Sequence, residues 1–568
     1  MLVSEYIASF LYKKGIKDIF GYPGGMVTYL MDAFDRHPGL KTHLCYHEQG
    51  AAFAACGYAM EKNIPGVAYA TSGPGATNLL TGIADAYFDS LPTIFITGQV
   101  NTYDLKANNI RQHGFQETDI VSMAKPVVKA AVQVDSAEHI AEVLEQLYDI
   151  AMSGRKGPVL LDLPMNIQRS EWDGFEPIQV NHCKSNQEHL ALTAAEDIIS
   201  ALQNAKRPLL LVGAGVKQSG AVSLIRQLVH KLGVPTVSSM VAVDVLSHDE
   251  PYYLGFVGAY GHRWANFATE KADMILSLGS RMDGRQTGSR LDWFAPHAKL
   301  YRIDVDTSEL QQHVKSDEHT YCLDLPVFLT CISSHLVDYD KYRWQEWMDI
   351  CMRMRKELGG LDQTPENDMM RSIGRLIPDD AIVTTDVGQN QVWLMQSLEF
   401  KNQKLLFSGG HGAMGFSVPA AIGACIASGR HPVYAFCGDG GFQMNIQELQ
   451  TIVRENLPIK ILLFNNHSLG MIRHFQEMYF DSNFVQTKAE HGYTVPDFVE
   501  ISEAYGIPAK HISCVEEFND NLQQDGPFLY DISCRNDTYI YPKLAIHKPI
   551  YDQDPLMDRD LLHKLENL

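Results

Sequence analysis

Short apolar runs that stop at glycine turns recur along this chain, each followed by residues whose apolar positions return at helical spacing. The clearest case begins at Val433. Val433–Cys437 reads as a buried strand and breaks at Gly438-Asp439-Gly440-Gly441. Ile446, Leu449, Ile452 and Val453 follow at helical spacing, and Ile459–Phe464 gives a second apolar run ahead of Asn465-Asn466. Strand, helix and strand form a crossover unit with two parallel strands. Asp439 and Asn466 then stand at carboxyl ends of parallel strands, where open α/β sheets bind ligands.

The same alternation fills the rest of the chain. A helix to Lys14, a strand at Asp18–Gly21, a turn into a helix over Val27–Phe34, and strands at Val67–Thr71 and Leu91–Ile96 are expected in the first third. Pro208–Val212, Ala272–Leu278 and Lys299–Val305 read as strands of a middle segment, with an amphipathic helix at Val222–Leu232. Asp379–Thr385 opens the last third, and Ser170–Leu190 is polar and irregular, as a linker would be. A chain of 568 residues exceeds one compact core. We therefore expect α/β architecture in three doubly wound parallel-sheet domains, at 1–170, 191–340 and 365–540, with a tail at 541–568.

Composition narrows the function classes. Hydrophobic residues at 45% and charged residues at 20% suit a globular protein, and no apolar run is long enough to suggest a membrane span. A formal net charge of −21 argues against a nucleic-acid surface. The first ten residues read as an amphipathic helix, not a signal peptide, and ten scattered cysteines without a Cys-x-x-Cys pair argue against zinc or a disulfide framework. A cytoplasmic protein is expected.

Asp439 and Asn466 offer hard oxygen ligands suited to Mg²⁺ that also holds phosphate oxygens. Gly440 and Gly441 are expected to free backbone amides at the helix start toward an anion, with Gly438 before them among the cofactor contacts. Gly-Asp-Gly alone is weak, but with Asn465-Asn466 after residues 441–464 the pattern is specific and resembles the signature of thiamine-diphosphate-dependent enzymes. Glu48, where a strand ends and a helix of small apolar residues begins, is a poorly solvated carboxyl that favours a shared or retained proton. By itself it reads first as a helix-start acid satisfying backbone amides and the helix dipole. With the thiamine reading it becomes the group that hydrogen-bonds the cofactor's aminopyrimidine.

Gly21-Tyr-Pro23-Gly24-Gly, His47-Glu-Gln-Gly-Ala-Ala, Ser72-Gly73-Pro-Gly-Ala-Thr-Asn78, Phe115-Gln116-Glu and Gly157-Pro-Val-Leu-Leu-Asp-Leu-Pro resemble the acetolactate synthase catalytic subunit and its relatives from residue 1 to about 540. The resemblance implies a pyrimidine-binding, a central Rossmann-like and a diphosphate-binding domain. It also implies decarboxylation of a 2-keto acid, most simply pyruvate, and ligation of the acetyl unit to an acceptor carbonyl. It implies a homodimer or homotetramer, with Glu48 and Asp439 meeting across a subunit interface. Phe115, Gln116 and Arg285 would face substrate, Arg285 against a carboxylate. Pro23, Gly24, Gly73, Asn78, Gly388, Gln389, Asn390, Gly412, Met414 and Met471 would contact the cofactor, Met414 as the wedge between its rings. The Ser468 carbonyl would be the third metal ligand. Asn390, where the family has histidine, is expected still to offer a donor. His411 replaces an apolar residue and reads as a proton shuttle or a packed histidine.

The middle domain leaves an alternative. Gly213-Ala-Gly215 is Rossmann-like, but the third glycine comes too late for a dinucleotide fingerprint. Gly258–Asn266 with Gly261, and Gly279, Arg281 and Asp304, are similar to the family's flavin-contacting segments, so the domain either holds FAD in a non-redox role or is a vestigial scaffold. Phe475, where acetolactate synthases carry tryptophan, and the tail from Tyr541 depart from the biosynthetic enzyme. They open a second acceptor class, a nucleotide-linked keto-deoxysugar or other bulky carbonyl. A flavin-using pyruvate oxidase and a non-catalytic binding protein are the further readings.

Overall fold

The computed structural model describes every residue except 107–109, 173, 175–186, 337–339, 524 and 568. Most of the expected linker at 170–190 lies outside the described residues. Three six-stranded sheets, parallel throughout, carry the chain. The first holds β1 (Asp18–Gly21), β2 (Lys41–Leu44), β3 (Gly66–Ala70), β4 (Thr93–Gln99), β5 (Ala130–Gln133) and β6 (Pro158–Pro164), in the order β2-β1-β3-β4-β6-β5. The second holds β7 (Pro208–Val212), β8 (Thr236–Ser238), β9 (Tyr253–Phe256), β10 (Met274–Leu278), β11 (Lys299–Asp304) and β12 (His319–Cys322), in the order β12-β11-β10-β7-β8-β9. That is the doubly wound order with its switch point between β7 and β10. The third holds β13 (Ile382–Thr385), β14 (Lys404–Phe407), β15 (Val433–Gly438), β16 (Ile459–Asn465), β17 (Ala509–Ile512) and β18 (Phe528–Ser533), in the order β14-β13-β15-β16-β18-β17. It repeats the topology of the first. β19 (Lys543–Leu544) and β20 (Gln553–Asp554) pair antiparallel in the tail.

Residues 1–181, 381–391 and 404–537 form one compact unit holding the first and third sheets. Residues 182–380, 392–403 and 538–568 form the other, so the tail belongs with the second sheet.

Within the first unit the two sheets are joined helix to helix. The Glu48–Lys62 helix is buried on nearly every side, as its run of alanines and glycines dictates. It packs on the Ser417–Ala427 helix at a distance only glycine permits. A Cβ on Gly57 would lie 2.2 Å from the Ala420 carbonyl oxygen, and one on Gly423 would lie 1.8 Å from that of Ala54. The expected continuous helix after Asp439 is instead three pieces: Asp439–Met444, a 3-10 turn at Ile446–Glu448, and Leu449–Glu455. Asn445 interrupts it, its side-chain amide donating to the Gly415 carbonyl and to Gln49 Oε1.

Candidate active site

β15 and β16 are parallel neighbours, with Gly438 opposite Phe464, so Asp439 and Asn466 leave the sheet at the same edge. Their side chains converge. The Ser468 amide donates to Asp439 Oδ2 and to Asn466 Oδ1, each at 3.2 Å. Asn466 Nδ2 in turn donates to Gln389 Oε1 at 3.1 Å, which fixes which end of the amide is the oxygen. Burial pushes the Asp439 carboxyl up to about 6 against the hydrogen bonds from Gly440 and Ser468 that pull it down.

Gly440 does a different job from the one expected. The Gly440 amide donates to Asp439 Oδ1 at 2.8 Å and is not free for an anion. Gly440 is small because a Cβ there would lie 2.8 Å from Leu469, 3.1 Å from Met414 Cε and 3.1 Å from Tyr493 Oη. Gly441 is small because Asp386 Oδ2 stands 2.4 Å from its Cβ position. Asn390 also corrects an expectation. Its amide nitrogen is committed to Thr385 Oγ1 at 3.1 Å and the Asp386 carbonyl at 3.4 Å, leaving the acceptor Oδ1 toward Gly388 and Gly438.

The loop from Ser408 to Met414 hangs on the Leu80–Phe88 helix of the first sheet. Ser408 Oγ donates to buried Asp85 and accepts from the Ala413 amide, while Asp89 accepts the Gly409 and Gly410 amides at 2.9 and 2.7 Å. The exposed His411 ring stacks on Phe88, centroids 5.4 Å apart. Gly412 sits at φ 71°, beside Val387. Met471 lies half-buried in the Gly470–Tyr479 helix.

A second cluster forms at the edge of the first sheet. Glu48 heads its helix, 9% exposed, and Asn78 Nδ2 donates to its Oε2 at 3.0 Å. Gly75 leaves room above Oε1, where a Cβ would come within 3.1 Å. Thr71 packs on Gly24 and Gly75 and accepts the Met26 amide, so Pro23-Gly24 and the Gly73 turn lie together. Gln116, at φ 63°, packs its Cβ against Gly73. Phe115 is 80% exposed. Glu48 is not the acid that satisfies the backbone amides before its helix. Glu448 is, accepting from the Tyr46 amide at 2.8 Å and the His47 amide at 3.1 Å. Glu448, Tyr493 and Asp386 were missed by sequence reasoning, because nothing in their spacing announces partners so distant in the chain.

The donor sets fit thiamine diphosphate and Mg²⁺. Asp439, Asn466 and the Ser468 carbonyl are hard oxygens at one sheet edge. Tyr493 Oη is buried beside them without a hydrogen bond of normal geometry, and burial with the nearby Asp439 carboxylate holds its phenol above the usual range.

The flavin residues do not fit in the same way. The Gly213 amide donates to the Leu278 carbonyl at 2.9 Å and the Gly215 amide to that of Gly279 at 3.0 Å, so the two loops at the switch point close on each other. Arg281 pairs with Asp283, and Asp304 accepts the Asp306 amide. At the Gly258–Gly261 turn, Asn266 Oδ1 accepts the Gly258 amide, while the Ala259 and Gly261 carbonyls accept from Leu544 and Gln553 of the tail. The Gly213, Gly215, Gly258 and Asp304 groups expected near a flavin thus each hold a hydrogen bond within the protein, while the Arg281 pair is part exposed. Arg285 is exposed at the head of this segment, its carbonyl accepting the Ala259 amide.

Residues 1–123 match the family model described as thiamine pyrophosphate enzyme, N-terminal TPP binding domain; residues 195–331 match its central domain, and 386–532 its C-terminal TPP binding domain. The chain is 35% identical to the acetolactate synthase isozyme 2 large subunit of Escherichia coli, covering 95% of this chain and 96% of that one. It is 34% identical to the acetolactate synthase large subunit of Lactococcus lactis, covering 95% and 94%, and 34% identical to a probable acetolactate synthase large subunit of Methanococcus aeolicus, covering 93% and 91%. No described helix is long and apolar enough to cross a membrane.

Proposed function

The chain belongs to the thiamine pyrophosphate enzymes of the acetolactate synthase large-subunit type, and on that premise we propose that it decarboxylates pyruvate and ligates the acetyl unit to an acceptor carbonyl. The observation that carries this reading is the convergence of Asp439 and Asn466 on the Ser468 amide at the edge of the third sheet.

Thiamine diphosphate, when bound, supplies the electron sink for the pair left by the departing carboxylate. Asp439, Asn466 and the Ser468 carbonyl would hold Mg²⁺, and the Gln389 bond to the Asn466 nitrogen would leave its oxygen for the ion. Met414, Leu469 and Tyr493 border the space that Gly440 keeps open. Glu48 presents a carboxyl held by Asn78 and shielded from bulk water, suited to share a proton with a ring nitrogen of the cofactor. Gln116 stands beside the Gly73 turn, placed to hydrogen-bond a small keto acid.

Glu48 and Asp439 stand on separate sheets, and we read them as meeting between two copies of the chain. Exposed apolar side chains near each cluster support this: Ile110 and Phe115 beside the first, Ile472, Phe475 and Phe480 beyond the second. The pyruvate-oxidase reading is not favoured, since the similar proteins are acetolactate synthases and several groups expected near a flavin are hydrogen-bonded within the protein. For the acceptor, a second 2-keto acid is the first reading. A bulky ketone on a nucleotide-linked sugar is the second, favoured by the smaller Phe475 in an exposed aromatic group with Tyr479 and Phe480. Incubation with pyruvate, thiamine diphosphate and Mg²⁺, with and without a panel of acceptors, followed by mass spectrometry, tests both. Acetolactate or a branched sugar supports one or the other; no carbon dioxide release from pyruvate overturns the reading.

A further inference from the structure

We propose that Glu448 is a positioning residue for Glu48, a carboxylate from the third-sheet domain that sets where the helix carrying Glu48 begins. The inference rests on the reading of Glu48 as the group that activates the cofactor.

Glu448 is 0% exposed, and a buried carboxylate persists only if its oxygens are satisfied. Oε1 accepts the Tyr46 and His47 amides, the two immediately before Glu48, and Oε2 accepts Thr451 Oγ1 at 2.8 Å. The rest of the segment is fastened to the same face. The Leu44 carbonyl accepts from Thr451 Oγ1 at 3.1 Å and Arg454 Nη2 at 2.6 Å, and Gln49 Oε1 accepts from Asn445 Nδ2 at 3.2 Å. Gly50 completes the fit, because a Cβ there would lie 2.5 Å from Glu448 Oε1. Residues 44, 46, 47, 49 and 50 are thus all set by residues 445–454. Glu48 in their midst takes its partner elsewhere, from Asn78.

A proton-sharing group works only within hydrogen-bond reach, and a misplacement of about 1 Å costs on the order of a hundredfold in rate. Anchoring the backbone on both sides of Glu48 removes that freedom. The anchor lies on the helical turns that follow Asp439, so the metal-side domain of the chain also fixes its proton-side group.

The test reads the rate at which the thiazolium C2 proton of bound thiamine diphosphate exchanges with D₂O, by acid quench and proton NMR, beside cofactor affinity by fluorescence titration. Exchange should be fast in the wild-type holoenzyme and lost in Glu48→Gln; equal exchange in the two overturns the reading of Glu48 and the proposal with it. With that reading intact, Glu448→Ala should slow exchange by about tenfold or more, with cofactor affinity within about threefold of wild type. Glu448→Gln, whose amide oxygen can still accept the Tyr46 and His47 amides, should restore the rate. Glu448→Asp, which draws the carboxylate back by one methylene, is the companion variant if the alanine chain does not fold, and should also be slow. Wild-type exchange in a folded Glu448→Ala or Glu448→Asp holoenzyme overturns the proposal. So does a loss confined to cofactor affinity, which a merely structural carboxylate would produce.

Discussion

Asn466 is oriented by Gln389. The amide of one donates to the amide oxygen of the other at 3.1 Å, and Gly470 lies so close that a Cβ there would be 1.9 Å from Gln389 Oε1. A side chain whose rotamer is locked in this way would need no reorganisation to take up a metal ion.

Gln389→Ala should therefore raise the Mg²⁺ requirement by about 10–100-fold while leaving the fold intact. Gly470→Ala should do the same by displacing Gln389. Titration of cofactor binding against Mg²⁺ concentration checks both.

Glu48→Gln should lower turnover by about 10²–10⁴-fold, the usual range for loss of a general acid–base group. Cofactor binding should be largely preserved, since the amide still accepts from Asn78. Steady-state rates beside a binding titration separate the two effects.

Gly423→Ala should destabilise the first unit by about 1–3 kcal/mol or more, because the new methyl meets the Ala54 carbonyl backbone and not a flexible side chain. The thermal midpoint of the purified protein reports it. Gly429→Ala, in a turn with nothing near the new methyl, should show only the cost of its φ of 75°.

Stability of the metal-free protein should fall as pH rises from about 4 to about 7. Burial pushes Glu448 and Asp386 up to about 7, above the unfolded values of 4.5 and 3.8, so between those limits the folded state binds more protons than the unfolded one. Glu455 acts the other way: hydrogen bonding to His43, ahead of Lys41, lowers it to about 2, so its contribution is present above pH 4.5 and lost as pH falls toward 2. Midpoints measured in EDTA from pH 3 to 8 should pass through a maximum near pH 4–5. Glu448→Gln should flatten the alkaline slope.

The purified enzyme should carry no flavin absorbance near 450 nm and should show no saturable quenching of added FAD, since the turn at Gly258–Gly261 is bonded to Leu544 and Gln553. Stoichiometric flavin in the preparation would reverse that reading of the central domain.

The strand-turn-helix repeats, the three parallel sheets and the meeting of Gly438–Asp439 with Asn465–Asn466 at one sheet edge were legible in the chain itself. These features are local: apolar runs make strands, glycines end them, and parallel pairing carries strand ends to one edge. Glu48 was legible as a poorly solvated acid at a helix start, and only its match to a family gave it a task. What the chain alone could not say was which groups hold these residues in place. Gly440 looks like an amide open to an anion, yet it donates to Asp439, and Met414 and Tyr493 press against its Cα. Asn390 looks like a donor, but Thr385 takes its nitrogen. The acid facing the amides ahead of Glu48 comes from residue 448, some 400 positions away. Side-chain periodicity records which face of an element is buried. The partner met on that face is settled by packing between distant segments, and that is a property of the tertiary structure alone.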